Sequence, residues 1–243
     1  MQKKNFRILL YLLIILIFNI QLCEKNPTSS EEITTGTVTD IDGNVYKTVK
    51  IGDQWWMAEN LKVTHYRNGN VIAYIADSTQ WLDVLVGAYC SYGNDENNVA
   101  TYGYLYNWFA VKDDRNIAPV GWHLPTDGEW KELEIFLGIS QSQVDSTGFR
   151  GINEGGKLKE ASIDHWLSPN TGANNETGFT ALPSGYCYDD GRFNNIGYSA
   201  IFWTATESSS YNMWARLLYY SQSGIYRYES DEGVGFSVRL VKD

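Results

Sequence analysis

Leu124-Pro125-Thr126-Asp127-Gly128-Glu129-Trp130-Lys131-Glu132-Leu133-Glu134-Ile135-Phe136-Leu137-Gly138 carries a full set of helix signals in one run. Thr126 and Glu129 stand at capping-box spacing: the threonine hydroxyl can accept from the Glu129 amide while the carboxylate returns to the Thr126 amide. Trp130, Leu133, Phe136 and Leu137 recur at helical spacing and predict one buried face. Gly138 supplies the left-handed residue that ends such a helix. The long helix is therefore expected to begin after Pro125 and to stop at Gly138.

The flanks read differently. Thr37-Val38-Thr39-Asp40 and Val45 to Ile51 surround Asp42-Gly43-Asn44, a hairpin signal. After Gly52-Asp53 the chain runs into Gln54-Trp55-Trp56-Met57-Ala58, which predicts a three-stranded meander. Residues 62–100 are punctuated by polar turn clusters and read as surface loops. Tyr104 to Val111 predicts a short helix, since Leu105, Trp108 and Phe109 fall on one face. The last third predicts strands over Phe179–Leu182, Ala200–Ala205, Met213–Tyr220, Gly224–Tyr228 and Phe236–Val241, with bulk alternating in Ile225-Tyr226-Arg227-Tyr228. No fixed repeat is present, which excludes a solenoid or propeller.

The amino terminus sets an expected compartment. Lys3, Lys4 and Arg7 precede an apolar run from Ile8 to Ile20, broken only by Asn19. A basic start followed by a short apolar core is the pattern of a secretory signal, here residues 1–22. The run falls short of the ~20 residues that span a bilayer. Cys23 ends it, and the polar stretch behind, residues 23–36, reads as a flexible tether to one domain over 37–243.

Charge and composition narrow the partners. Without the three basic residues of 1–22, the chain has 16 basic and 29 acidic side chains, a net −13. That excludes nucleic acid as an expected partner, because phosphates reward basic patches. Nine Trp, 17 Tyr and 9 Phe exclude a disordered composition. Cys90 and Cys187 are the other two cysteines, and in an exported protein they can pair or stay as buried thiols.

No strong catalytic motif is found: no nucleophile elbow, zinc-binding histidine pair or phosphate loop. His65, His123 and His165 show no ligand spacing, and His123 reads as a packed or hydrogen-bonded histidine. Asp113-Asp114 and Asp189-Asp190 read as solvated turns. Asn94-Asp95-Glu96 is a hard-oxygen cluster that suits calcium but lacks ordered ligand spacing. No other cofactor is expected. The tyrosines of the carboxy-terminal half offer stacking surfaces for sugar rings; the binding candidates are Tyr186, Tyr188, Tyr211, Trp214, Tyr226 and Tyr228. An enzyme is not expected.

Several stretches together resemble the Fibrobacter succinogenes major paralogous domain family. They are Ile51-Gly52-Asp53-Gln54-Trp55-Trp56-Met57-Ala58-Glu59-Asn60-Leu61, Tyr102 to Trp108, Ala118 to Trp130, Gly155 to Glu160, Gly178 to Pro183 and Gly235 to Arg239. The Leu-Pro-Thr-x-x-Glu-Trp and Gly-Phe-x-Val-Arg stretches also look like the C-type-lectin-like superfamily, which includes sulfatase-modifying, formylglycine-generating enzymes. The resemblance implies an α+β fold: twisted, mostly antiparallel sheets, a few short helices and long loops. It also implies a bacterial surface protein, often lipid-anchored. Cys23 resembles the lipidated cysteine of such proteins, although Leu22 stands where a small residue is usual.

Two departures bear on chemistry. The modifying enzymes use a cysteine pair near the carboxy terminus, where this chain has Leu240, a position at which related paralogues hold Cys. The Glu-Pro-Asn and Gln-Pro-Asp triplets of calcium-dependent lectins are absent. The expectation is a cell-envelope binding module at the outer membrane or cell surface, taking a surface glycan or an envelope protein. A self-associating structural protein and an enzyme remotely related to the sulfatase-modifying factors are the alternatives.

Overall fold

The computed structural model describes residues 32–82 and 84–243. The signal segment, Cys23 and the tether as far as Glu31 lie outside them. Among the described residues no helix is long and apolar enough to cross a membrane.

The expected helix runs Asp127–Leu137. Both halves of its capping box are made: Thr126 Oγ1 accepts from the Glu129 amide at 3.2 Å, and Glu129 Oε2 accepts from the Thr126 amide at 2.8 Å. Gly138 follows at φ 122°. Trp130, Leu133 and Leu137 are buried as expected, but Phe136 is 60% exposed. The inner stripe takes Glu134 instead, four residues after Trp130, because basic side chains wait for it there (below).

The amino-terminal meander forms as read, with strands Thr35–Thr39, Val45–Ile51 and Gln54–Met57. The first strand begins inside the segment read as tether. Asp40 organises its turn by accepting from the amides of Asp42 and Asn44 and from the Tyr46 hydroxyl at 2.6 Å. The chain's end joins the same sheet: Val241–Lys242 pairs with Trp56 on one side and with Trp122–His123 on the other. All neighbours in this five-stranded sheet are antiparallel.

A second sheet orders Ser199–Glu207, Asn212–Tyr219, Ile225–Asp231 and Gly148–Arg150, again antiparallel. A hairpin pairs Ser184–Cys187 with Phe193–Ile196. A small third sheet holds the one parallel pair among the described strands, Ala73–Tyr74 with Ala88–Cys90, and ends on Leu105–Tyr106. The fold is thus α+β with mostly antiparallel sheets, few short helices and long loops.

Three expectations are corrected. Tyr104–Val111 is not one helix: Leu105–Tyr106 is a strand, and Asn107 then caps a turn of helix at Trp108–Val111. The Asn107 side chain drives the switch, accepting from the Ala88 and Ala110 amides. Phe179–Leu182 makes only the bridge Lys159↔Ala181, and of Phe236–Val241 only the last residue is in a strand. Both segments cross the core between sheets, so isolated backbone bonds to Tyr106, Ile201, Trp203, Leu61 and Met57 take up Phe236–Leu240, and the Arg239 side chain takes up the carbonyls of Phe179 and Thr180.

Arg239 is the clearest case. It is 1% exposed, stacks 4.7 Å from the Phe179 ring, and donates to the carbonyls of Met57, Phe179 and Thr180 and to Asn60 Oδ1. Lys159 is wholly buried and donates to the carbonyls of Thr171, Tyr219 and Gln222 at 2.9–3.1 Å. Burial pulls its pKa down to about 8 and that of Arg239 to about 9. Trp56, Trp130, Phe179 and Phe202 pack around the same centre. All of these but Phe202 are residues of the shared motifs, so the motifs contribute much of what holds the fold together.

Candidate functional site

The second sheet has two faces of opposite chemistry, and strand alternation creates both. Asn212–Tyr219 and Ile225–Asp231 pair with Arg216 opposite Arg227 and Leu217 opposite Tyr226. Phe149 pairs with Tyr226 and Arg150 with Ile225. Every second side chain turns to the long helix, and the ones between turn away.

On the helix side the sheet offers Arg150, Arg216 and Arg227 to two acids of the helix. Glu134, with no exposure, accepts from Arg150 through both oxygens at 2.7 and 2.8 Å and also from Arg216. Asp127 accepts from Arg216 at 2.8 Å and from Arg227 through both oxygens at 2.9 Å, and Lys131 joins it at 2.9 Å. Burial opposes ionisation of Asp127, but hydrogen bonds from Arg227, the charge of Arg216 and the bond from Lys131 outweigh it. The carboxyl is held well below its usual range. These groups take up one another, and Arg150 Nε alone among their donors is buried without a partner. This face is structural.

The other face floors a cleft of about 510 Å³. Tyr226, Tyr228, Leu217 and Ile201 form its floor, and the hairpin Ser184–Cys187/Phe193–Ile196 raises a wall with Tyr186 and Tyr188. Tyr186 donates its hydroxyl to that of Tyr188 at 2.7 Å, with ring centroids 4.7 Å apart and nearly perpendicular. Tyr226 and Tyr228 lie 5.5 Å apart on the floor. Burial, then the bond to Tyr188, raises the Tyr186 pKa above the ordinary phenol value. Burial, with Tyr186 and Tyr226 nearby, does the same for Tyr228. Both stay neutral phenols at physiological pH, able to donate as well as accept. Asn195, Asn212, Asp189, Glu229, Ser230 and Asp231 complete the lining. Asn195 holds a left-handed φ of 65° opposite Gly185, between residues paired with Tyr186 and Ser184.

Four of the six aromatic candidates, Tyr186, Tyr188, Tyr226 and Tyr228, thus meet in one cleft. The other two stand apart. Tyr211 is 74% exposed at the turn before Asn212, and Trp214 lies on the arginine face, its ring 3.3 Å from the Arg227 guanidinium carbon. The polar lining was not singled out from sequence. Glu229-Ser230-Asp231 ends the strand of Tyr226 and Tyr228, and Asp189 lies in the turn of the hairpin, just after Tyr188. Period-two alternation continued past Tyr228 points only to Ser230; Glu229, paired opposite Trp214, and Asp231 alternate with it and border the cleft from the strand's other face.

The remaining candidates sit elsewhere. Asp95 caps a short turn by accepting from the Asn97 amide, and Glu96 accepts the Tyr104 hydroxyl. Asn94 sits at a left-handed φ of 55° in the preceding turn. Among the described residues, no group of three or more His, Cys, Asp or Glu side chains is placed to hold a metal ion. His123 bridges Glu129 at 2.7 Å and Asp243 at 2.6 Å, the hydrogen-bonded role expected of it. Asp113 and Asp190 pair with Arg115 and Arg192 in turns.

Cys90 and Cys187, nearly a hundred residues apart in sequence, share one small buried cluster with Trp81, Ala88 and Leu105. They stand as free thiols, and burial followed by the neighbouring Cys187 pushes the Cys90 thiol up. Cys187 lies between Tyr186 and Tyr188, so it faces the back of the wall that those tyrosines present to the cleft. Leu240 is fully buried in the main core.

Residues 49–242 match the family described as Fibrobacter succinogenes major domain. No curated protein and no protein of solved structure matches the chain.

Proposed function

The chain belongs to the Fibrobacter succinogenes major domain family, and on that premise we propose that it is an exported, lipid-anchored cell-envelope module that binds a surface glycan in the tyrosine cleft. The observation that carries this reading is the convergence of four tyrosine rings, from a hairpin and a sheet, on one open cavity. Tyrosine faces stack on the apolar C–H faces of sugar rings, while phenols, asparagine amides and carboxylates bond to the hydroxyls at the edges. A rigid sheet beneath the floor, held by the buried arginine–carboxylate layer, keeps those rings in place without a ligand, which lowers the cost of binding.

The finer fold reading is C-type-lectin-like. Its support is the resemblance of the Leu-Pro-Thr-x-x-Glu-Trp and Gly-Phe-x-Val-Arg stretches, together with a sheet shared by the first and last strands. Export and anchoring rest on the sequence of residues 1–23 alone: Cys23 carries the lipid, and 24–31 lead to the domain. In an oxidising compartment Cys90 and Cys187 join, two thiols giving up two protons and two electrons to a thiol–disulfide oxidoreductase. The bridge would pin the cleft wall from behind.

A glycan array probed with the full-length protein in mild detergent tests the binding reading. Retention of a defined glycan class, recovered uncleaved, is expected. An empty array with capture of an envelope protein instead would sink it. For the anchor, the mass of the extracted mature protein should show acyl chains on Cys23, and Cys23→Ala should release the protein from the membrane fraction.

A further inference from the structure

The sheet register carries the floor of the cleft past its rim. Ile201 pairs opposite Leu217, Leu217 opposite Tyr226, and Tyr226 opposite Phe149. One row of side chains therefore crosses all four strands of the second sheet, on the face away from the long helix. The first three line the cleft. Phe149 stands on the edge strand Gly148–Arg150, its ring centroid 4.8 Å from that of Tyr226. Exposure rises along the row: Ile201 is 2% exposed, Leu217 and Tyr226 are half-buried, and Phe149 is 45% exposed. The floor is thus covered at one end and runs off the sheet as an apolar shelf at the other.

Single exposed apolar side chains are common and ask for no partner. Phe149 differs because it ends a continuous row that begins inside the cleft. Adjacent strands lie about 4.8 Å apart, so the row runs about 14 Å in three steps. Each step is close to the length of one pyranose unit in an extended β-1,4-linked chain, whereas an α-1,4-linked chain curls away from a straight row. Leu217, Tyr226 and Phe149 carry no charge, which suits neutral sugars. A peptide strand added at the sheet edge is the competing occupant. The edge is a poor template for it: the strand has three residues, opens with Gly148 at φ 85° and is followed by Gly151 at φ 79°, so the backbone turns away at both ends.

We propose that the cleft takes an extended, neutral β-1,4-linked glycan chain rather than a single sugar, and that Phe149 is the binding residue beneath the unit that leaves over the edge strand. This rests on the cleft being the glycan site. Calorimetry on the full-length protein in mild detergent tests it. The probes are β-1,4-linked oligomers of glucose and of N-acetylglucosamine, one to five units long, with α-1,4-linked glucose oligomers as the curled control. Affinity for a β-1,4-linked series should climb with length to about three or four units, the span of the row, and then level off. Phe149→Ala should weaken the tetramer about fivefold and leave the dimer unchanged, because only longer chains reach the shelf. The unchanged dimer, with a urea midpoint close to that of wild type, shows that the cleft itself is intact in the variant.

Affinity independent of length, undiminished tetramer binding in Phe149→Ala, or an equal loss for dimer and tetramer would overturn the role of Phe149. An α-1,4-linked series bound as well as the β-1,4-linked ones would overturn the extended-chain class. Failure of all these oligomers while the array retains another glycan would overturn it too and leave the glycan reading standing. Failure of every sugar, on the array and in the calorimeter, would remove the glycan reading and this inference together.

Discussion

At the scale of single residues, the sequence exposes its caps and hides its buried charges. Thr126 and Glu129 are legible because their partners lie three residues apart. Glu134 is not, because the residues that make its burial tolerable, Arg150 and Arg216, lie 16 and 82 positions away. A lone glutamate on a helix reads as solvated until those arginines are placed. Removing one member of a buried ion network leaves the others desolvated and unmatched, which costs about 3–5 kcal/mol. Glu134→Ala should therefore lower stability by about that amount in urea denaturation, whereas exposed Glu132→Ala should move it by under about 0.5 kcal/mol. A Glu134→Ala loss under about 1 kcal/mol would mean that the arginines find other partners or water. Asp127 adds a pH term. Its folded pKa is depressed, so its contribution is present above the ordinary aspartate value and is lost as pH falls through the folded one.

At the scale of elements, local signals found the long helix, the meander and three strands of the second sheet, Ser199–Glu207, Asn212–Tyr219 and Ile225–Asp231, but not the hairpin Ser184–Cys187/Phe193–Ile196. They failed where backbone crosses the core between sheets. Phe179–Leu182 and Phe236–Leu240 look like strands because they are apolar, yet Arg239 takes the carbonyls of Phe179 and Thr180, and Phe236–Leu240 makes only scattered backbone bonds to several different elements. The end of the chain is tied by His123, which joins Asp243 to Glu129 of the capping box. Burial lowers the His123 pKa, but bonds from Asp243 and Glu129 outweigh it and leave the pKa raised. The tie is therefore fully present below the unfolded histidine value, about 6.5, and is lost as pH rises through the folded value. The urea midpoint should fall between mildly acidic and mildly alkaline pH, and the fall should shrink in His123→Gln; an identical fall in both would assign it to other groups. Behind the cleft wall, the mass of protein isolated from the envelope should be two hydrogens lower than after reduction, reporting the Cys90–Cys187 bridge. An unchanged mass would leave two buried thiols.

At the scale of the whole molecule, the motifs that carry the family resemblance lie in the core, and the tyrosine cleft is built from residues between them. Trp56, Trp130, Lys159 and Arg239 lie in the core, while the cleft residues Tyr186, Tyr188, Tyr226 and Tyr228 lie within the family match over 49–242 but between the motif stretches quoted for the resemblance. Tyrosine content pointed towards stacking surfaces, but not to which tyrosines meet. That needs the pairing of Asn212–Tyr219 with Ile225–Asp231 and the hairpin that folds over it, neither fixed by local sequence. Tyr211 and Trp214 show the limit, equal to the others in composition and placed elsewhere by one step of alternation and one turn. The most direct test of the cleft is a calorimetric titration of the full-length protein with its array-positive glycan, in wild type, Tyr188→Ala, Tyr228→Phe and Tyr211→Ala. The expected result is affinity reduced by about tenfold or more in Tyr188→Ala, weakened in Tyr228→Phe and unchanged in Tyr211→Ala, with all four urea midpoints close together. Undiminished affinity in both cleft variants, or a loss confined to Tyr211→Ala, would contradict it.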